Sequence, residues 1–431
     1  MDKRWLLKER GDESVVTTLA AEMGVPTPVA SLMAQRGITN RREAEDFFNP
    51  SLSSLHDPFL MKDMNRAVDR ISTAISRNEK ILVYGDYDVD GTTSVALLYS
   101  FLREWHSSLD YYIPDRYHEG YGLSQQGIDY AADRKCRLII ALDCGIKAVD
   151  RVKYAKSKGI DIIICDHHLP GDEIPDATAV LDPKQPGCNY PYKELSGCGV
   201  GFKLMQAYCQ VQNIPFEKII PYLDLVAVSI GSDIVPMTGE NRILAYYGLK
   251  QLNESPRLGF LKIIEKARIR MPLAIEDVVF RIGPRINAAG RMESGSKAVE
   301  LLISQNAYEA LTICEAIDRS NDDRRKKDSE ITSEARRMVS EDDRNGDART
   351  TVLFRQGWHK GVIGIVASRL IETYYRPTVI LTESKDGFAT GSARSVPGYD
   401  LYQAIESCSD LLESFGGRMF AAGLTLKQEN L

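Results

Sequence analysis

The 431-residue sequence has few of the residues that build disulfide scaffolds or zinc modules. Its eight cysteines are scattered and form no C-x-x-C pair, so neither a disulfide framework nor a zinc ribbon is indicated. It lacks an uninterrupted apolar stretch long enough to cross a bilayer. Residues 1–11 carry charges without the apolar core of a secretory signal peptide. We therefore expect a cytoplasmic protein with reduced thiols and no membrane partner.

Common catalytic templates are also missing, since the sequence has no P-loop, no G-x-S-x-G elbow and no H-E-x-x-H helix. The net charge of −6 does not favour a nucleic-acid partner, because such proteins usually carry a basic surface. The net charge is a sum over the whole chain, however. A cluster of acids around divalent cations could make that sum negative even if a groove elsewhere is basic. Composition therefore leaves the partner open.

From residue 81 onward, short apolar runs alternate with helical segments of about ten residues, which predicts an α/β fold with a parallel sheet covered on both faces. Ser124 is a candidate N-cap of one of the helices. Residues 200–270 are predicted to be mainly helical. The predicted strands are 81–84, 109–113, 138–142, 160–165 and 177–181, and the predicted helices are 92–105, 124–135 and 147–158.

The same patterns divide the chain into four regions. The segment that joins the two α/β domains has charges of both signs, which is typical of a solvated helix. In the last region, strands at 351–354 and 377–381 flank a helix at 361–373. The predicted regions are an N-terminal helical extension (1–75), a parallel-sheet domain (76–310), a connecting helix (311–348) and a smaller α/β domain (349–431).

Acids and histidines follow three of the predicted strands. Asp86, Asp88 and Asp90 follow the first strand, Asp143 follows the third, and 166–168 (Asp-His-His) follows the fourth. Because the carboxyl ends of parallel strands lie at one edge of a sheet, these side chains should meet there. Carboxylate and imidazole ligands are typical of Mn²⁺ or Mg²⁺ sites. They are less typical of a zinc site that is rich in thiolates. Another acid, Asp233, follows the apolar run 225–230.

Each of these segments has a simpler reading by itself. Residues 86–91 partly match a calcium-binding loop, but its twelfth position is Leu97 instead of glutamate, and a strand precedes it instead of a helix. Asp143 or Asp166 alone would more commonly cap a helix. The coincidence of all three at strand ends favours a metal site.

Further motifs extend over nearly the whole chain, and with them the sequence resembles the RecJ-type exonucleases of the DHH phosphoesterase superfamily. The superfamily is named for the triplet seen here as Asp166-His167-His168, which it pairs with an acidic motif like 86–91. The resemblance implies a DHH domain followed by a DHHA1 domain. The other matching motifs lie at 113–116, 119–122, 142–145, 231–236, 283–291, 357–361, 391–395 and 416–417.

The resemblance implies a metal-dependent exonuclease that degrades single-stranded DNA 5′ to 3′ and releases 5′-mononucleotides, in DNA repair and recombination. It implies two Mn²⁺ or Mg²⁺ ions, a water nucleophile and no covalent intermediate. Asp143 would be the bridging ligand, and His168 would polarise the scissile phosphate or protonate the leaving oxygen. Asp86 and Asp166 would orient the ligands. The implied metal ligands are Asp88, Asp90, Asp143, His167 and Asp233.

The resemblance also implies a set of substrate-binding residues. Arg116 would bind a 5′-terminal phosphate, and Tyr121 would stack on a base. Arg285 and Arg291, in one glycine-flanked loop, would bind backbone phosphates. The alternative for any single arginine is an ordinary salt bridge, and His359 could likewise bond only a backbone group. The second domain would contribute Ser392, Arg394 and Arg418.

Two features differ from the usual family pattern. Arg418 follows Gly416-Gly417 in a predicted glycine-rich turn, at a position where a histidine is usual, so any role that needs a neutral imidazole is lost. The sequence stops at Leu431, whereas bacterial members usually continue into an OB-type domain, and we expect modest, salt-sensitive affinity for long single strands. Single-stranded DNA is the expected partner, with a single-strand-binding protein and a helicase as further expected partners.

Two other functions stay open from the sequence. One is an oligoribonuclease or a cyclic-dinucleotide phosphodiesterase of the same superfamily, which would share the metal site. The other is an inactive DNA-binding replication scaffold. The N-terminal region and the motifs around Arg116 and Tyr121 favour the exonuclease over the first, and the complete ligand set favours it over the second.

Overall fold

The computed structural model describes residues 5–341, 348–384 and 387–431. The chain forms two compact units, one made by Leu6–Asp318 and the other mainly by Arg319–Leu431. None of the helices among the described residues combines the length and the apolar character needed to cross a membrane.

The N-terminal part of the first unit is helical, as its sequence predicts. Helices α1 (Glu13–Met23), α2 (Thr27–Ala34) and α3 (Arg41–Phe48) pack around a small apolar core of their own. Helix α4 (Met64–Ser76) instead buries its apolar side in the main core of the unit.

A five-stranded parallel sheet of order β2-β1-β3-β4-β5 forms the centre of the first unit, which confirms the predicted sheet. Alternate residues of β1 enter two separate apolar cores, one on each face, because successive side chains of a strand point to opposite sides. The strands are β1 (Lys80–Gly85), β2 (Leu109–Tyr112), β3 (Cys136–Leu142), β4 (Asp161–Cys165) and β5 (Ala179–Leu181), with crossover helices α5 (Val89–Leu102), α6 (Gln125–Asp133) and α7 (Val149–Ser157).

Helices then continue to the end of the unit, which confirms the helical prediction for 200–270. Most of these helices contribute to the main core, and a π-helical segment, Val278–Ile282, precedes α13. They are α8 (Gly197–Val211), α9 (Leu223–Asp233), α10 (Gly239–Glu254), α11 (Leu258–Lys266), α12 (Ile275–Asp277), α13 (Gly283–Met292) and α14 (Ser296–Ile303). The long helix α15 (Ala307–Glu341) contains the boundary between the two units.

The second unit is a mixed sheet of order β6-β7-β8-β10-β9. Only β6 and β7 pair in parallel, and the other neighbours are antiparallel. Helix α16 packs on this sheet with an apolar core that includes Trp358 and Val362. The elements are β6 (Thr351–Phe354), α16 (Lys360–Tyr374), β7 (Thr378–Glu383), β8 (Phe388–Arg394), α17 (Leu401–Glu406), β9 (Leu412–Arg418) and β10 (Ala421–Lys427).

Three local predictions were wrong. Helix α5 begins at Val89 and not at residue 92, so Asp90 lies in its first turn. Arg285 and Arg291 lie in helix α13 and not in a loop, because Pro284 is compatible with a first helical turn. Arg418 ends strand β9, and the turn follows it. The predicted connecting helix includes 342–347, which lie outside the described residues.

Candidate metal centre

The first acids of the site leave strand β1 and enter helix α5. Asp88 is the N-cap of α5, and its carboxylate accepts a hydrogen bond from the Gly91 N–H at 3.0 Å. Asp90 is fully buried in the first turn of the helix. A Cβ at Gly91 would lie 2.3 Å from the backbone oxygen of Asp86, so only glycine permits this tight strand-to-helix connection.

Asp143 follows strand β3 in a left-handed backbone conformation, with φ of 58°. Aspartate tolerates this region better than most residues. Its N–H donates to the Cys165 carbonyl at the end of β4, at 2.8 Å, which fixes its position at the sheet edge. The N-terminus of α8 lies against it, since a Cβ at Gly197 would come within 2.6 Å of the Asp143 Cβ.

The triplet Asp166-His167-His168 follows strand β4. Asp166 accepts hydrogen bonds from the backbone N–H of Ile146 (2.9 Å) and of His167 (2.7 Å), and from Nδ1 of His168 (2.7 Å). Burial by itself would raise the pKa of Asp166, but the hydrogen bond from His168 lowers that pKa to about 2. An ionised Asp166 can only accept, so its contact with His168 requires a proton on Nδ1 of that imidazole.

Asp233 is the last residue of helix α9, and its side chain is about one-third exposed, at 31%. The helix ends because Ile234 has a left-handed conformation, with φ of 59°. That conformation is unusual for a β-branched residue, and such backbone strain is found more often at functional sites.

These elements bring four of the five predicted metal ligands together. The Nε2 atom of His167 lies 3.2 Å from Asp143 Oδ1, 3.5 Å from Asp233 Oδ2 and 3.7 Å from Asp90 Oδ2. Two groups of possible ligands have all their donor atoms within 4.8 Å of one another. One group is Asp90, His167 and Asp233, and the other is Asp143, His167 and His168.

The remaining predicted acids lie beside these groups. Asp88 is in neither group, although its charge raises the pKa of Asp90 and of Asp143. Asp86 is buried and contacts the Gly122 N–H at 3.2 Å through Oδ1. The ligand role of Asp88 and the orienting roles of Asp86 and Asp166 therefore stay predictions.

The electrostatics of the cluster fit bound cations. Burial, followed by the charge of Asp88, raises the pKa of Asp90 to about 6. Burial and the neighbouring acids raise the pKa of Asp143 as well. Asp143 Oδ1 and Asp86 Oδ2 are buried oxygens that accept no hydrogen bond from the described residues. Buried carboxylate oxygens need a compensating partner, and a divalent cation with a preference for oxygen and imidazole ligands would supply one.

The sequence reasoning missed the residues that hold Asp90 in place. Its carboxylate accepts hydrogen bonds from the Gly197 N–H (2.7 Å), the Cys198 N–H (2.8 Å) and the Ser229 hydroxyl (2.7 Å). The N-terminus of α8 thus faces a carboxylate, which is favourable for the helix dipole. The N-cap Ser196 and the glycine-rich start of α8 were the available signal.

Two proposed substrate residues of the first unit, Arg116 and Tyr121, lie on the loop between β2 and α6. The Arg116 guanidinium stacks over the Tyr87 ring at 4.3 Å. Tyr121 is half exposed as a residue, at 52%, while its hydroxyl donates to the Asp143 carbonyl at 2.9 Å and lies 3.3 Å from His168 Nε2. Tyr121 therefore contacts the candidate metal centre directly.

Arg285 and Arg291 differ in their surroundings. Arg285 forms an ion pair with Asp318 at 2.9 Å, which is the ordinary salt bridge that the sequence left as its alternative. The carbonyl of Arg291 accepts a hydrogen bond from the Tyr117 hydroxyl. Their role in phosphate binding stays a prediction.

In the second unit, the β-sheet places three predicted residues near one another. Arg394 Nη1 donates to the Ser392 hydroxyl at 3.0 Å within β8. Ala421 of β10 pairs with Arg394 on one neighbouring strand, β8, and with Arg418 on the other, β9. His359 caps α16 by accepting a hydrogen bond from the Gly361 N–H at 3.2 Å, the backbone role that the sequence left open.

Comparisons with protein families match both parts of the chain. Residues 80–230 match the model of the DHH family, N-terminal domain. Residues 347–431 match the model of the DHHA1 domain.

Individual relatives extend the match over almost the whole chain. The single-stranded-DNA-specific exonuclease RecJ of Bacillus subtilis is 42% identical over 99% of this chain and 54% of its own length. The Escherichia coli RecJ is 34% identical over 99% of this chain and 76% of its own length. The crystal structure of Thermus thermophilus RecJ in complex with Mn²⁺ superposes with a TM-score of 0.85 and 28% identity, over 99% of this chain and 60% of that one. This chain therefore spans about half of the Bacillus protein, and it belongs to the RecJ family of DHH phosphoesterases.

Proposed function

We propose that this chain is a metal-dependent exonuclease that removes 5′-mononucleotides from the 5′ end of single-stranded DNA, in DNA repair and recombination. The observation that carries the proposal is the convergence of Asp90, Asp143, His167 and Asp233 on one point at the carboxyl edge of the sheet. A relative that is 34% identical and of which this chain covers 76% is named a single-stranded-DNA-specific exonuclease.

In this proposal the cluster holds two Mn²⁺ or Mg²⁺ ions. Asp90, Asp143, His167 and Asp233 would be ligands, with Asp88 as a fifth. Asp143 would bridge the two ions. When bound, such ions stabilise charge on both the attacking and the leaving oxygen of a phosphodiester hydrolysis.

The protein's own contribution to the chemistry centres on His168. Asp166 fixes the imidazole through a proton on Nδ1, and Nε2 lies 3.3 Å from the Tyr121 hydroxyl. A neutral Nε2 can accept a hydrogen bond or, after protonation, donate a proton to the leaving oxygen. We therefore propose His168 as the general acid and Asp166 as the residue that sets its tautomer and orientation.

The remaining predicted residues would contact the substrate. Arg116 would bind the 5′-terminal phosphate and Tyr121 would face the terminal nucleotide. Backbone phosphates would be bound by two residues of the first unit and three of the second. The residues proposed for these contacts are Arg285, Arg291, Ser392, Arg394 and Arg418.

Seven of the eight free cysteines are buried and the last is exposed, which suits a reducing compartment, and we propose that the protein acts in the cytoplasm. A single-strand-binding protein and a helicase that exposes single strands stay predicted partners.

Digestion of a panel of substrates tests the proposed function. Single-stranded DNA, duplex DNA, RNA and a cyclic dinucleotide would each be incubated with and without Mn²⁺, with 5′- and 3′-labelled DNA in parallel. We expect mononucleotide release from single-stranded DNA alone, from its 5′ end, and only with metal. Faster cleavage of RNA or of the cyclic dinucleotide would identify the other superfamily activity, and binding without cleavage would identify the scaffold.

A further inference from the structure

The loop of residues 113–123, between β2 and α6, links the proposed substrate residues to the metal centre. It carries Arg116 and Tyr121, and the Tyr121 hydroxyl reaches the Asp143 carbonyl (2.9 Å) and His168 Nε2 (3.3 Å). The Tyr121 and His168 rings also meet edge to face, with centroids 5.8 Å apart. A shift of this loop would therefore change the surroundings of His168.

One carboxylate, that of Glu119, joins both ends of this loop. Its Oε1 accepts the Asp115 N–H at 2.8 Å and the Tyr112 hydroxyl at 2.9 Å. Its Oε2 accepts the Tyr112 hydroxyl at 3.0 Å and also the Ser124 hydroxyl. Tyr112 ends strand β2, Asp115 is the third residue of the loop and Ser124 caps helix α6, so Glu119 holds the loop to the two elements that flank it.

The loop backbone needs stabilising contacts close to Tyr121. Gly120 and Gly122, on either side of Tyr121, have left-handed backbones with φ of 84° and 85°. Glycine loses more conformational freedom on ordering than any other residue, so an ordered Tyr121 requires strong local contacts. A second anchor lies directly after it, because the Gly122 carbonyl accepts the Tyr84 hydroxyl at 2.8 Å. Glu119 supplies an anchor two residues before Tyr121.

We propose that Glu119 is a positioning residue for hydrolysis, which acts by fixing the 113–123 loop so that the Tyr121 hydroxyl holds His168 in place. This inference rests on the proposed function for its kinetic consequence only. The hydrogen bonds of the Glu119 carboxylate described above include none to a proposed metal ligand, so its effect reaches the centre through Tyr121.

The direct test compares Glu119→Gln with the unsubstituted protein. The amide keeps the shape of the side chain but places a donor NH₂ group where hydroxyl and N–H donors point. We expect kcat/KM on single-stranded DNA to fall about ten- to a hundredfold, mainly through kcat, as misplaced positioning groups do. We expect amide hydrogen exchange of 113–123 to be faster in the metal-free variant.

A double-mutant cycle separates positioning from general loss of stability. In a Tyr121→Phe background the hydroxyl contact is already lost, so Glu119→Gln should lower kcat/KM by less than about threefold. The proposal is wrong if Glu119→Gln lowers kcat/KM by the same factor in both backgrounds. It is also wrong if hydrogen exchange of the loop is unchanged.

Glu104→Gln is the matched control. Glu104 also accepts a tyrosine hydroxyl, that of Tyr222 at 2.6 Å, but it follows the far end of α5, about 20 Å along the helix from Asp88. We expect kcat/KM to stay within about twofold of the unsubstituted value in this variant. A protein that cleaves no substrate would contradict the proposed function, while hydrogen exchange would still decide whether Glu119 fixes the loop.

Discussion

At the scale of single residues, the candidate metal centre places buried carboxylates close to one another, which is electrostatically unfavourable. Asp90 and Asp143 are almost completely buried, at 1% exposure each, close to the further charges of Asp88 and Asp233. Like charges in a buried site raise each other's pKa and destabilise the metal-free fold. Bound cations would offset this destabilisation of the fold. The stability of the protein should therefore depend on the same metal ions as the proposed hydrolysis.

Substitution of Asp143 by asparagine should therefore separate stability from activity. We expect Asp143→Asn to lower hydrolysis by at least about a hundredfold because a proposed bridging ligand is lost. The same change should raise the free energy of unfolding of the metal-free protein by about 1 kcal/mol, or about 1–2 °C in Tm. Thermal melts and initial rates measure both, and near-normal rates in Mn²⁺ would show that the site is assigned wrongly.

The pKa of Asp90, raised to about 6, predicts a pH dependence of metal binding. A carboxyl with a folded pKa above its unfolded value of about 3.9 destabilises the metal-free fold increasingly as pH rises from about 4 to about 6. The increase in Tm on addition of Mn²⁺ should consequently grow over this window and level off above it. Melts with and without Mn²⁺ from about pH 4.5 to about pH 7.5 would show this, and an equal Mn²⁺ effect at about pH 5 and about pH 7 would contradict it.

Arg418 occupies the position at which the resemblance predicts a histidine. It ends strand β9 next to Gly417, where a Cβ would lie 2.4 Å from the Ala421 carbonyl oxygen. We expect Arg418→His to raise kcat/KM about tenfold or more, since arginine and histidine differ in reach and charge. Arg418→Ala is the control that removes the guanidinium alone. An unchanged or lower kcat/KM for Arg418→His would show that arginine serves this position equally well.

At the scale of secondary structure, the sequence was most informative where the local pattern is strong. Short apolar runs bounded by acids predicted all five strands of the first sheet and the edge at which the acids meet, because buried parallel strands are apolar on both faces. The start of α5 was predicted three residues late, since the apolar pattern of the helix begins after its capping acid. The helix that contains Arg285 was missed because the glycines that flank this residue suggested a loop.

The close approach of α8 to Asp143 could not be predicted, because it depends on tertiary packing. We expect Gly197→Ala to move either the start of α8 or Asp143, since the added Cβ would lie 2.6 Å from the Asp143 Cβ. Mn²⁺ affinity should then fall about tenfold or more. Gly199→Ala is the matched control two residues further on, where the nearest atom to the new Cβ is Ser196 Oγ at 3.3 Å. Equal Mn²⁺ affinities for the two variants would contradict this account of the site.

At the scale of the whole molecule, polar contacts between residues far apart in the sequence could not be predicted from local patterns. The buried Lys203 donates to the His56 carbonyl at 2.7 Å and to Glu240 at 3.1 Å, which attaches the N-terminal segment to the helical part of the first unit. His56 and Glu240 are 184 residues apart in the sequence, and no local motif marks their contact. The family resemblance, in contrast, extended over both units and indicated the DHH and DHHA1 domains that the family models match.

The most direct test of the central claim is to count Mn²⁺ ions per chain by equilibrium dialysis while measuring hydrolysis of single-stranded DNA in the same samples. We predict two ions per chain in the unsubstituted protein, and fewer than two together with lost hydrolysis in Asp143→Asn. Hydrolysis that persists in metal-free samples, or full Mn²⁺ occupancy in Asp143→Asn, would contradict the account.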